Sequence, residues 1–174
     1  MKKKATAKKA ASKKPAAKKV VKPIPDGYRI LTPYLSIRGA TQAIDYYKKV
    51  FGAKLRLKME APGGKIGHAE LEIGDSVIML ADEFAEMDFL SPLARGGSPV
   101  SLHLYVKDVD AVVAKAVALG AKLTRPVADQ FYGDRNGTIT DPFGHVWSVA
   151  THKEDLSPAE MRRRGEAMMK QKPA

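Results

Sequence analysis

The 174-residue chain has no cysteine, which excludes a disulfide framework, a thiol nucleophile and a thiolate metal site, and fits a reducing cytoplasm. Nowhere does an apolar run approach the ~20 residues of a membrane-spanning helix, and the N-terminus lacks the apolar stretch of a secretory signal. Acidic residues are missing from positions 1–22, where ten lysines stand, so most of the net charge of +11 belongs to that segment and the rest is nearly balanced. No glycine-rich phosphate loop and no strained serine elbow occur; the glycines mark turns. What remains is a chain with a hydrophobic share of 44%, enough for one compact domain or two half-size modules sharing a core.

Residues 1–27 read as a disordered Lys/Ala-rich tail, too poor in apolar bulk to offset the entropy of ordering. Lysines at this spacing can neutralise phosphates, so weak, non-specific, salt-sensitive nucleic-acid association through residues 1–22 is one expectation, and an inert solubilising extension the other. Neither arginine nor an aromatic ring is there to read or stack on bases. Pro23, Pro25 and Gly27 mark entry to the folded part.

The remainder says nearly the same thing twice. YLSIRGATQAIDYYKKVFGAKL, from Tyr34, and HLYVKDVDAVVAKAVALGAKL, from His103, each give a strand, a polar turn, an amphipathic helix and Gly-Ala-Lys-Leu leading into a second strand. Alternation predicts strands over 31–37, 55–60, 67–73 and 76–81, with a helix over 41–51. The second copy predicts strands over 100–106, 122–126, 138–140 and 145–151, with a helix over 109–119 capped by Asp108. Each unit is βαβββ: module one over 28–83, a connector over 84–98, module two over 99–152. Residues 153–174 form a helical segment with Ser157 at the N-cap, Pro158 at N1 and Glu160 at N3.

The paired modules, the DPF-Gly hairpin and the stretches GHAELEIGDSVIMLADE and DQFYGDRNGTITDPFGHVWSVATHKEDLSP resemble the vicinal oxygen chelate superfamily, and within it the PhnB-like, glyoxalase-related branch. That superfamily includes glyoxalase I, bleomycin and fosfomycin resistance proteins and extradiol dioxygenases. The resemblance implies an α+β fold whose eight strands form a cup-shaped sheet with helices outside, and a protein that pairs as a homodimer and binds a small molecule in the cup. Lyase, isomerase or resistance-type chemistry is one implied outcome; non-enzymatic sequestration of a ligand is another. The superfamily's usual metal positions fall on Thr32, Met79, Ser101 and Ser148, none of which offers the imidazole or carboxylate that Zn, Mn, Fe or Ni wants.

Strand parity supplies a second set. With the apolar side facing the helices, His68, Glu70 and Glu72 point into the cup, joined by Tyr34 and Ser36, by Ser101, His103 and Tyr105, and by Thr138, Thr140 and Ser148. A displaced divalent-metal site or a general-base site built on His68, Glu70 and His103 is one reading; two hydrogen-bonded histidines lining a binding cup is the other. Phe131 and Tyr132, followed by Gly133, Asp134 and Arg135, read as an irregular segment. It could close aromatic rings and an arginine anion clamp over the ligand, or simply fasten itself through Asp134 and Arg135. His145 reads as a turn residue, His152 as exposed beyond the last strand, and Trp147 as core.

Overall fold

A computed structural model describes residues 21–171, so residues 1–20 of the lysine-rich tail lie outside the described residues. Module one runs β1 (Tyr34–Ile37), α1 (Ala40–Phe51), β2 (Lys54–Glu60), β3 (Ile66–Ile73) and β4 (Ser76–Asp82). Module two repeats this as β5 (Ser101–Tyr105), α2 (Val109–Ala118), β6 (Lys122–Asp129), β7 (Asp134–Thr140) and β8 (Val146–His152), followed by α3 (Pro158–Gln171). The fold is α+β, with two βαβββ modules.

The strands do not join into one eight-stranded sheet. They form two four-stranded mixed sheets ordered β1-β4-β3-β2 and β5-β8-β7-β6, with the first pair parallel in each and the others antiparallel. β1 and β5, the corresponding edge strands, are not paired with each other. β1 also starts later than alternation suggests. Pro33 has no N–H for a ladder and only its carbonyl is used, by Met79, so Leu31 and Thr32 fall outside the strand, Leu31 exposed and Thr32 half-buried. Conversely, β6 and β7 extend well past their expected bounds, and Asp134 and Arg135 stand in a strand rather than in an irregular loop.

One face of each sheet packs on the helices. Ile37, Ala69, Leu71 and Leu80 from sheet one and Ile139, Trp147 and Val149 from sheet two are all but sealed from solvent in a single core. α1 crosses between the modules: the Tyr47 ring lies 5.5 Å from Trp147 and the Phe51 ring 4.6 Å from it. Burying side chains of this size contributes ~1.5–3 kcal/mol each. The two modules therefore share their apolar interior.

A buried carboxylate ties the same junction. Asp141, in the DPF-Gly turn, accepts from the Tyr47 hydroxyl (2.7 Å), the Trp147 indole (2.9 Å) and the backbone N–H groups of Phe143 and His145 (2.9 Å each). Burial, then the charge of Asp141, pushes the Tyr47 hydroxyl well above the ordinary tyrosine range.

The helix starts are satisfied differently in the two copies. α1 begins after Gly39 (φ 88°), which has no side chain to cap it; the N–H groups of Gly39 and Ala40 donate instead to Asp82 at the end of β4. α2 has the expected local cap, Asp108 accepting from Ala111 at 2.9 Å. Thr151, in β8 at the position matching Asp82, accepts from Val109. The connector carries a short 3-10 turn at Ala85–Met87 and a Phe84–Phe89 bridge. Glu83 anchors it through the Ser91 hydroxyl, the Ser91 N–H and Arg38, and these bonds, the serine hydroxyl first, lower its carboxyl to about 2.

Candidate functional site

The sheet faces turned away from the helices hold the polar side chains that strand parity assigned there. On sheet one, the Tyr34 hydroxyl sits 3.1 Å from His68 Nδ1, and His68 Nε2 sits 3.3 Å from Glu70. A neutral ring with its proton on Nε2 satisfies both partners: it donates to Glu70 and accepts from Tyr34. Glu70 is buried, and its carboxyl is held below the usual range, chiefly by the Tyr28 hydroxyl and then, against the opposing effect of burial, by His68. Beside this row lies a cavity of about 420 Å³ lined by Tyr34, Gly67, Ala81, Phe84, Met87 and Phe89. Three of its six walls are aromatic, and two of those, Phe84 and Phe89, come from the connector.

On sheet two, His103 Nδ1 is 3.0 Å from the Ser148 hydroxyl, to which Asn136 also donates at 2.8 Å. Tyr105, its ring 4.7 Å from that of His103, reaches over β8 to Asp134 on β7 at 2.9 Å. The small side chain of Ala150 stands opposite Tyr105 and leaves room for this crossing. Asp134 is buried and also takes His152 Nδ1 at 2.7 Å, while His152 Nε2 lies 3.1 Å from Asp155.

His68 and Glu70 are thus together, and His103 is on the other sheet with partners of its own. Among the described residues, no three His, Asp or Glu side chains gather closely enough to hold a metal ion. The superfamily's usual positions fit one no better. Thr32 lies outside β1 with its hydroxyl directed to Arg29, Met79 offers a thioether, Ser101 a lone hydroxyl, and the Ser148 oxygen already serves His103 and Asn136.

Arg135 is not aimed where a clamp would be. It shares the helix-facing side of β7 with Ile139, and its guanidinium is held by Asp110 of α2 (2.7 Å) and Asp129 (3.1 Å). Phe131 packs against Gly165 of α3, with Tyr132 edge-on to it at 5.2 Å. Sequence reasoning missed Asp134, Asn136 and His152 as members of the site. The signal was present in alternation: Asp134, Asn136, Thr138 and Thr140 fall on one face once β7 is extended to its true start. His152 is the last residue of β8, not a free side chain beyond it.

His152 carries a pH signature. Its bond to Asp134 first, and to Asp155 second, raises the imidazole above its ordinary value. A raised folded pKa contributes stability that is complete below the unfolded value of about 6.5 and is lost as pH rises through the folded value. Urea midpoints measured from pH 6 to 9 should therefore fall less steeply for His152→Ala than for the parent; parallel curves would contradict the linkage.

The chain matches the Glyoxalase/Bleomycin resistance protein/Dioxygenase superfamily over residues 33–149, and it belongs to that superfamily. It is 38% identical over 135 residues to the Mycobacterium tuberculosis protein Rv0887c, covering 76% of this chain and 79% of that one. The Arabidopsis thaliana protein At5g48480 is 32% identical over 120 residues, covering 64% of this chain and 70% of the relative. Its crystal structure superposes with a TM-score of 0.58 at 28% identity, over 71% of this chain and 98% of that one. TioX from Micromonospora sp. ML1 superposes with a TM-score of 0.54 at 25% identity, over 70% and 97% of the two chains.

Proposed function

We propose that the chain binds a small, flat, largely apolar molecule against the open face of sheet one, with the open face of sheet two from a second copy as the opposite wall. The observation that carries this reading is the aromatic cavity of Tyr34, Phe84 and Phe89 standing beside the hydrogen-bonded Tyr34–His68–Glu70 row. Apolar rings supply contact area, and a few convergent polar atoms fix orientation, which is the usual make-up of a ligand site. The second copy is favoured by the large side chains both open faces leave in water, Leu57 and Met59 on one and Tyr105 on the other. In such a pairing His103, Tyr105 and Ser148 would face His68 and Glu70 across the ligand.

Stoichiometric sequestration needs no more than this. Where turnover occurs, His68, oriented by Glu70, is the proton acceptor, with His103 as the opposing acid. The test titrates flat heteroaromatic compounds by thermal shift and calorimetry. An aromatic contact contributes ~0.5–1.5 kcal/mol, so Tyr34→Ala and Phe84→Ala should each weaken binding by up to roughly tenfold. Unaltered affinity in both variants would remove the open face of sheet one from the site. His68→Gln should leave binding near parental and abolish any product formation. Sedimentation of the full chain should give twice the mass of a single copy; a monomer at micromolar concentration would contradict the shared cup.

A further inference from the structure

We propose a second ligand site at the seam between the modules, where a cavity of about 470 Å³ takes an apolar molecule carrying one hydroxyl or N–H donor. The cavity lies between the unpaired edge strands β1 and β5 and is roofed by the connector. Its size falls within the ~300–1,000 Å³ of small-molecule pockets. The walls are chiefly apolar, with Leu35, Leu90, Pro92, Val100 and Leu102 among them.

The roof is firmly seated. The turn at Gly144 leaves no space for a side chain, since a Cβ there would come within 3.0 Å of Pro92 and 3.1 Å of Leu93. Gly97 donates to Pro92 at 2.8 Å, and Arg95 holds both the carbonyl and the carboxylate of Asp88 at 2.9 Å. Asp88 is the one non-glycine residue with a left-handed backbone (φ 53°) among the described residues, a conformation kept by these contacts.

One polar group in this apolar space is left with an unused valence. His145 is buried, and its Nε2 donates to the Ser36 carbonyl at 3.2 Å, across 109 residues of sequence. That bond places the ring proton on Nε2 and leaves Nδ1 as an acceptor. Burial pushes the imidazole below its ordinary value, against the nearby charge of Asp141 and the bond to Ser36, which favours the neutral ring. Nδ1 has no protein partner among the described residues, and no buried side-chain nitrogen or oxygen there lacks one. Nδ1 is therefore reachable, and His145 is one of the residues lining the seam cavity. A donor on the ligand completes the hydrogen bonding of this ring, and the remainder of the ligand covers leucine, proline and valine surface.

The site is separate from the aromatic cavity of sheet one. Tyr34 and Phe89, ring against ring at 5.5 Å, stand between the two and line both. Phe84 lines only the aromatic cavity and Val100 only the seam, so either site can fail without the other.

The probe is 1-naphthol, compared with 1-methoxynaphthalene, which has the same rings and no donor. Calorimetry on the full chain should give binding of 1-naphthol at least about fivefold tighter than its methyl ether, since a hydrogen bond to a buried acceptor discriminates by ~1–3 kcal/mol. Val100→Trp fills the rim from an exposed position and should abolish binding of both, with the melting temperature confirming the fold. His145→Gln should erase the preference between the two compounds. Phe84→Ala, which touches only the other cavity, should leave the 1-naphthol affinity within twofold. Absence of 1-naphthol binding at millimolar concentration, equal affinity for the ether, or indifference to Val100→Trp would each overturn the seam site. Loss of affinity in Phe84→Ala would relocate the probe to sheet one.

Discussion

Asp141→Ala should lower the stability of the whole chain by about 4 kcal/mol, read as a fall in urea midpoint at unchanged slope. Four donors point at this one carboxylate: the Tyr47 hydroxyl, the Trp147 indole and the N–H groups of Phe143 and His145. A buried donor left without a partner costs ~1–3 kcal/mol, and removal of a charge held away from water offsets part of the sum. Since single domains are stable by only ~5–15 kcal/mol, the variant sits near the edge of folding. Tyr47→Phe, which strands only half of Asp141 Oδ2's partners, should cost ~1 kcal/mol. Because Tyr47 belongs to module one and Trp147 to module two, both modules should unfold in one transition in every variant. A loss below 1 kcal/mol for Asp141→Ala would mean that the junction is held by the aromatic packing alone.

Gly133→Ala should cost ~2–3 kcal/mol and express that cost locally, by releasing residues 153–171 from the body of module two. Gly133 has φ 96°, which an alanine adopts only under strain, and a Cβ there would collide with the backbone carbonyl of Glu154. The same glycine's carbonyl receives the N–H groups of Lys153 (2.9 Å) and Glu154 (3.0 Å). Hydrogen exchange at those two amides should accelerate and, within the folded part, trypsin should cut sooner at Arg162–Arg164 than in the parent, while β7 and β8 keep their protection. Amides 153 and 154 that remain protected would show that the turn yields instead.

The duplication, both helices, the Asp108 cap and the inward parity of His68, Glu70 and His103 were all legible in the chain, because each rests on a period of 2 or 3.6 that local sequence displays. β7 was cut short because Arg135, Asn136 and Gly137 are poor strand formers in isolation; they are held there by pairing with β8 on one side and β6 on the other. The division into two sheets was invisible for a different reason. Nothing in β1 or β5 announces whether an edge will pair, and the modules join instead through the core where α1 meets Trp147. The aromatic cavity was missed because Phe84 and Phe89 lie in a segment with no periodicity at all, and they are brought together by a backbone bridge across a short turn.

The unequal helix starts set an order of events in folding. α2 can nucleate as soon as Asp108 and Ala111 exist, since its cap is three residues away. α1 has no such seed: its first N–H groups wait for Asp82, whose ring closure spans more than forty residues and carries the corresponding chain-entropy barrier. Mutations in α2 should therefore register in the refolding rate, and mutations at the start of α1 in the unfolding rate. Two copies of one pattern would then have diverged in kinetics while keeping one architecture.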